Sequence, residues 1–360
     1  MGSVRPITEE DVPAVLNLHQ RVLGKSGGQS GAARREKAFR ELYICSPMQN
    51  SLIRPLVYQE RDGRIAGFLG VLMRPLSYKG KTFQCAVSAH FCVDPASRGF
   101  AGAQLLTAYM EGPQDLSIAD EANDTTRKLW HWFGGDVVLL RSLSWTLPLR
   151  PFRLGLQFTA KRAPNVARAL PLLRPLASMA EGLTSWSHAS LRAPAAGLIG
   201  EPLDAETMLQ CQAEFRDAGT LQPCYTAESL KWILDRVASH PSKGPLRKVL
   251  VRGPEGRVAG WYLYCVRKGE IGQVLQVISR PQDTGAVLQH LAHDASTQGA
   301  IAVTGALDAN LYQAVLNRLS FIRHNCWMLV HSKHHELLDA FHQGKAQLTR
   351  LEGEWSQHLE

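Results

Sequence analysis

The stretch that most constrains this chain is Ala86 to Leu106, AVSAHFCVDPASRGFAGAQLL. The uncharged run from Ala86 to Val93 reads as a buried strand, and Asp94-Pro95 ends it because proline cannot extend a ladder. Small residues surround Arg98 in the turn that follows, and Gly102 to Leu106 begins a helix-like period. Strand, small-residue turn and helix start is the order that makes an anion site. The first amides of a helix lack intrahelical partners, and the helix dipole adds partial positive charge at the same end. Arg98 adds a guanidinium at the mouth. The alternative reading is a connection whose small residues only allow close packing.

The order Val93-Asp94-Pro95, then Arg98-Gly99-Phe100-Ala101-Gly102-Ala103, then Leu105-Leu106 resembles the signature of the GNAT superfamily of CoA-dependent N-acyltransferases. The resemblance implies a mixed α/β fold and acetyl-CoA, or another acyl-CoA, as co-substrate. Its pyrophosphate would lie on Arg98, Gly99, Phe100, Ala101, Gly102 and Ala103, although Ala101 stands where the family usually has glycine. Phe91, Cys92 and Val93 would hold the acyl and pantetheine parts along a splayed strand, with the Val93 amide facing the carbonyl. Asn123 would touch the cofactor arm. Trp130 takes the position of the family's tyrosine, whose hydroxyl lies near the thioester sulfur. An indole N–H is no equivalent acid, and His131 is the nearest other donor in sequence.

At 360 residues two domains are expected. Residues 1–145 alternate strands and helices in an order that resembles one complete GNAT domain, which the resemblance implies is the acyl-CoA-binding one. Within it Val4 to Ile7 is a short strand, Thr8 caps a helix, Ala32 to Tyr43 is a second helix, and Asp62-Gly63 turns a hairpin. Val137 to Leu140 opens its last strand. The Gly/Ser run Gly24 to Gly31 reads as a loop lacking phosphate-loop spacing. Residues 146–200 form a Pro/Arg-rich linker, in which five prolines between Leu147 and Leu183 prevent one long helix. Leucine and phenylalanine among its arginines keep peripheral membrane contact through 147–183 open.

The second half repeats the first. Glu255-Gly256-Arg257-Val258-Ala259-Gly260-Trp261 echoes Asp62-Gly63-Arg64-Ile65-Ala66-Gly67-Phe68, and Ile301 to Ala306 with Asn310 to Phe321 echoes Leu116 to Gly135. Residues 201–335 are therefore read as a second, degenerate GNAT-like domain, with a helical tail at 336–360. Its counterpart of the anion turn carries Pro281, which lacks an amide, and Asp283, which repels phosphate. The cofactor is assigned to the first copy alone.

Acyl transfer to an amine needs a base, because a lysine-like amine titrates near about 10.4. His90 on the central strand, and Asp120 and Glu121 at the exit of the next, are the candidates. The competing roles are a hydrogen-bonded core histidine and acids that cap a helix. The acceptor is expected to be a small-molecule or saccharide amine, held in a cleft between the copies. No nucleic-acid partner is expected, since no binding motif accompanies the net charge of +8. The seven scattered cysteines, with no C-x-x-C, suggest reduced core thiols and no metal. The opening MGSVRPITEED lacks an apolar signal region, which leads to an expectation of the cytoplasm, with a membrane-peripheral variant through the linker. Two other readings stay open: a transferase that takes aminoacyl-tRNA, and a non-catalytic scaffold at a membrane surface.

Overall fold

The computed structural model describes residues 2–24, 31–48, 50–97, 99–163, 195, 197–240, 243–357 and 359. Arg98, the run 25–30 and most of the Pro/Arg-rich segment, 164–194, lie outside them. From the amino end come β1 (Ser3–Pro6), α1 (Val12–Val22), α2 (Ala32–Tyr43), β2 (Leu56–Gln59), β3 (Ile65–Tyr78), β4 (Lys81–Val93), α3 (Phe100–Met110), β5 (Leu116–Ala122), α4 (Asp124–Trp132) and β6 (Asp136–Val137). Next are β7 (Leu143–Pro148), α5 (Pro151–Arg162), β8 (Ile199–Pro202), α6 (Ala205–Glu214), β9 (Gln222–Pro223), α7 (Ala227–Ala238), β10 (Leu246–Arg252), β11 (Val258–Cys265) and β12 (Ile271–Ser279). The chain finishes with α8 (Thr284–Thr297), β13 (Ala302–Ala306), α9 (Ala309–Leu316), β14 (Phe321–His324), β15 (Trp327–Ser332) and α10 (His335–His342).

These elements form two compact units. Unit 1 contains Met1–Ser142, Arg216–His240 and Cys326–Glu360; unit 2 contains Leu143–Phe215 and Pro241–Asn325. The first sheet runs β1-β2-β3-β4-β5-β15-β6, with β9 beside β3; the second runs β8-β10-β11-β12-β13-β7-β14. Position for position the two orders correspond, and each sheet is antiparallel except for one parallel pair, β4 with β5 and β12 with β13.

The units are interleaved, where the sequence reading draws them contiguous with breaks at 145, 200 and 335. β15, from near the end of the chain, sits between β5 and β6 of the first sheet, and β7 takes the matching place between β13 and β14. The last strand expected over Val137 to Leu140 is cut to Asp136–Val137, and Leu140–Ser142 is a 3-10 turn. Alternation along a strand shows which face is buried, and it does not choose the neighbouring strand. The expected helical tail is also corrected. After α10 the chain is irregular until a 3-10 turn at Glu354–Gln357.

Local chemistry accounts for the elements that hold the site. Thr8 and Asp11 form a reciprocal cap ahead of α1, and Arg5 grips both Asp11 oxygens at 2.6 and 2.7 Å. That grip, helped by the Thr8 hydrogen bonds, lowers the Asp11 carboxyl to about 2 against the opposing effect of burial. The hairpin joining β2 to β3 turns on Gly63 at φ 86°. Leu18, Phe39 and Tyr43 bury the α1 and α2 side of the first sheet, while Leu105, Tyr109 and Trp130 bury the α3 and α4 side. In unit 2 the α5 residue Leu154 packs on Ile301 and Ala302.

Candidate active site

Two irregularities in β4 create the site. Opposite Leu69 of β3, the two residues His90 and Phe91 stand where one would, and His90 takes φ 53°. This bulge re-aims the strand. On the other side β4 and β5 pair from Cys85 with Leu116 to Val87 with Ile118, and then part, although β4 continues to Val93 and β5 to Ala122. The Asp94 amide donates to Ala66 O on the β3 side. Successive amides alternate, so the Val93 amide faces the gap.

A cleft of about 790 Å³ opens at this gap. Of the cofactor residues expected from sequence, Phe91, Cys92, Val93, Gly99, Gly102 and Asn123 line it. Gly99 adopts φ 91°, immediately before the first turn of α3, and a Cβ there would meet nothing within 4 Å. The backbone conformation requires glycine, and the space in front of the helix amides is open. Ala101 lies in regular helix and is buried, so its departure from the family's glycine brings no strain. Gly102 has Phe91 and Val93 at 3.7 Å from a would-be Cβ, ordinary contact distance.

Four expected residues do not line the cleft. Phe100 is 45% exposed beside Tyr58, and Ala101 and Ala103 lie within α3. Trp130 is 1% exposed and packs on Tyr109, so it belongs to the core; its neighbours Leu129, His131 and Trp132 reach the cleft instead. Its side chain follows the buried stripe of α4. Asn123 does two things, lining the cleft while its Oδ1 caps α4 by accepting from the Thr126 amide at 2.9 Å. Burial raises the Cys92 thiol to about 12, with the nearby Glu354 carboxyl adding to the rise. Burial thus favours the protonated thiol at neutral pH.

His90 has the environment of a core histidine. It is 5% exposed, its Nδ1 lies 2.5 Å from the Tyr43 hydroxyl, and its ring meets His19 edge-on at 5.3 Å. His90, Asp120 and Glu121 are not among the residues that line the cleft, and the bulge points the His90 amide at Glu354, whose Oε1 accepts at 2.7 Å. Glu354 belongs to the terminal 3-10 turn, which lies across β4 and β5. Its own amide donates to Asp120 Oδ1 at 2.9 Å. Gly353 before it packs so tightly that a Cβ would fall 1.6 Å from Asp120 Oδ2. Asp120 thus anchors the turn, and Glu121 contributes charge.

Glu354 is half-buried and its carboxyl is raised to about 8, first by desolvation and then by the negative charge of Glu121, with Asp120 adding to it. Burial raises Asp120 as well, and Arg141 and Arg350 oppose that rise. The turn is held from behind by Glu352, which is 2% exposed; Tyr225 donates to Oε1, Thr349 Oγ1 to Oε2 at 2.8 Å, and Arg74 Nε to its backbone O at 2.9 Å. Sequence reasoning missed Glu354. The available signal was Glu352-Gly353-Glu354-Trp355, two acids about a glycine in a stretch otherwise taken as helix.

The corresponding junction of unit 2 is built differently. Pro281–Asp283 forms a 3-10 turn, Arg257 clasps both Asp283 oxygens at 2.7 and 3.0 Å, and Arg318 donates to Gly285 O at 2.6 Å. Among the described residues no group of His, Cys, Asp and Glu is arranged to hold a metal ion, and no helix is long and apolar enough to cross a membrane.

No protein-family model matches the sequence, and a search of curated proteins gives no match. Solved structures do match. A conserved protein of unknown function from Enterococcus faecalis V583, described as a probable N-acyltransferase, aligns with TM-score 0.59 at 10% identity, over 92% of this chain and 73% of that one. A GCN5-related N-acetyltransferase from Anabaena variabilis aligns at 0.58 with 14% identity, over 93% and 74%, and another from Kribbella flavida at 0.57 with 13%, over 92% and 71%. With two mixed sheets, each split beside a parallel pair, the chain has the fold of the GCN5-related N-acetyltransferases.

Proposed function

We propose that unit 1 is an N-acyltransferase that takes an acyl-CoA, in the simplest case acetyl-CoA, and passes the acyl group to a primary amine of a small molecule or saccharide. The observation that carries this reading is the cleft at the parting of β4 and β5, lined by the Val93 strand end, the Gly99 turn and Asn123. The diphosphate would lie on the α3 amides beside Arg98, and the thioester would run along β4 with its carbonyl toward the Val93 amide.

Glu354 is the base in this reading. Its carboxyl, titrating at about 8, takes a proton from the incoming ammonium as nitrogen attacks the carbonyl carbon. The tetrahedral adduct collapses, the C–S bond breaks, and the second proton that the nitrogen sheds passes to the departing thiolate, with His131 the imidazole lining the cleft to relay it. His90, Asp120 and Glu121 then act by placing Glu354 and tuning its charge. The matching strand orders of the two sheets support a duplicated fold in which unit 2 has given up the cofactor.

The test is CoA thiol release from acetyl-CoA across a panel of amino sugars, polyamines and amino-acid derivatives. The wild type turns over with at least one class. Glu354→Gln loses roughly a hundredfold or more in turnover while still binding acetyl-CoA. Unchanged turnover in that variant would remove Glu354 as base, and absence of any acyl-CoA binding by the wild type would remove the proposal.

A further inference from the structure

The helix α4 carries a surface its own fold does not use. Leu129, Trp130 and Phe133 turn toward the core, and Trp132 points the other way, 86% exposed. A large indole on the polar face of an amphipathic helix contributes nothing to the core and leaves apolar area in water. Its position is specific. Thr125, Lys128 and Trp132 recur at the three- and four-residue spacing of one helix face, and all three line the cleft that holds Gly99 and Val93. Lys128 is exposed and, among the described residues, makes no ion pair. The adjacent Arg127 is engaged elsewhere, with its guanidinium 4.6 Å over the Trp327 ring and its Nε 3.6 Å from Asp124.

We infer that Trp132 and Lys128 form the nucleotide end of the donor site, the indole stacking on the adenine and the ammonium taking the 3′-phosphate. This inference rests on the acyl-CoA reading and extends it to what the site selects, a 3′-phosphorylated adenine nucleotide carrying the pantetheine arm. A flat ring with two free faces is a sequence-blind platform for a base, and one lysine is a point charge suited to a monoester phosphate. Gly99, where the diphosphate would lie, and the α4 residues that would meet the nucleotide line one and the same cleft.

The test is calorimetric titration of the full chain with CoA, 3′-dephospho-CoA and 4′-phosphopantetheine, using wild type, Trp132→Ala, Trp132→Phe and Lys128→Gln. Trp132→Ala weakens CoA and dephospho-CoA by roughly tenfold and leaves phosphopantetheine unchanged, and Trp132→Phe recovers part of the loss. Lys128→Gln removes the preference of CoA over dephospho-CoA, expected at about three- to fivefold. Since both side chains are exposed, the variants should fold, and circular dichroism checks this. If all four proteins bind CoA and phosphopantetheine equally well, this inference is overturned and the acyl-CoA reading stands. Failure of the wild type to bind any of the three overturns both.

Discussion

At the end of β4 and at the end of β12 the chain performs the same manoeuvre and reaches opposite results. Both strands run parallel to a neighbour for a short register, both lead through a 3-10 turn into a helix, and in both a hairpin arginine grips an acid of the turn: Arg64 to Asp94 at 2.9 Å, Arg257 to Asp283 at 2.7 Å. In unit 1 a glycine at φ 91° follows, and the α3 amides open on a cleft. Both turns begin with proline, Pro95 and Pro281, but in unit 2 no glycine of positive φ follows, Arg280 lies 4.7 Å over the Phe215 ring, and Arg318 donates to Gly285 O at the start of α8. The two turns differ in the glycine at φ 91° that precedes α3 and in the Arg280 and Arg318 contacts at the start of α8.

The comparison breaks most sharply at the charged groups. Arg98→Glu should reduce acetyl-CoA affinity by two orders of magnitude or more, since an anion would face the diphosphate, whereas Arg280→Glu should leave it unchanged; calorimetry reads both. Glu354→Gln should remove turnover and also reshape its pH profile. In the wild type kcat/KM should climb to a plateau above about pH 8, where the carboxyl is ionised, and the variant should lose that limb. Stability moves the other way. The folded pKa of about 8 lies above the ordinary 4.5, so the folded state holds the proton more tightly, and this contribution is full below about 4.5 and lost as pH rises through about 8. Thermal melts should therefore show Glu354→Gln gaining on the wild type from pH 5 to pH 9.

Smaller effects sharpen the contrast. Gly353→Ala forces a Cβ onto the Asp120 carboxylate, so the terminal turn should shift, at a cost of roughly 1–3 kcal/mol by chemical denaturation and with reduced turnover. Gly99→Ala meets no atom but must hold a positive φ, about 1–2 kcal/mol of strain, and should weaken acetyl-CoA binding; the paired Gly285→Ala, in regular helix with only Arg318 near, should do neither. Smallest of all, Arg64→Ala and Arg257→Ala should lower the melting temperature slightly and alike, because both guanidinium groups are solvent-exposed.

Much of unit 1 was legible because its signals are local. The Thr8 cap, the Asp62-Gly63 turn and the helix from Ala32 to Tyr43 each depend on neighbours within a few residues, and the strand-to-helix order around Val93 and Gly102 showed where a cleft would open. What stayed hidden is long-range. Nothing in the alternation of Trp327–Ser332 says that it will pair with β5 and β6, and Glu354 meets His90 and Asp120 across more than half the chain. His90 misled for a related reason. Strand alternation places Ser88 and His90 on one face, but the bulge breaks that alternation and sends the imidazole to Tyr43 and the amide to Glu354. Trp130 was placed by motif position, and its size decided for the core.

The most direct test of the central claim is the stoichiometry of acetyl-CoA binding, measured by calorimetry on the wild type, Arg98→Glu and Arg280→Glu. One acetyl-CoA per chain, lost in Arg98→Glu and kept in Arg280→Glu, is the predicted result. No binding, two molecules per chain, or loss through the unit 2 change would contradict it.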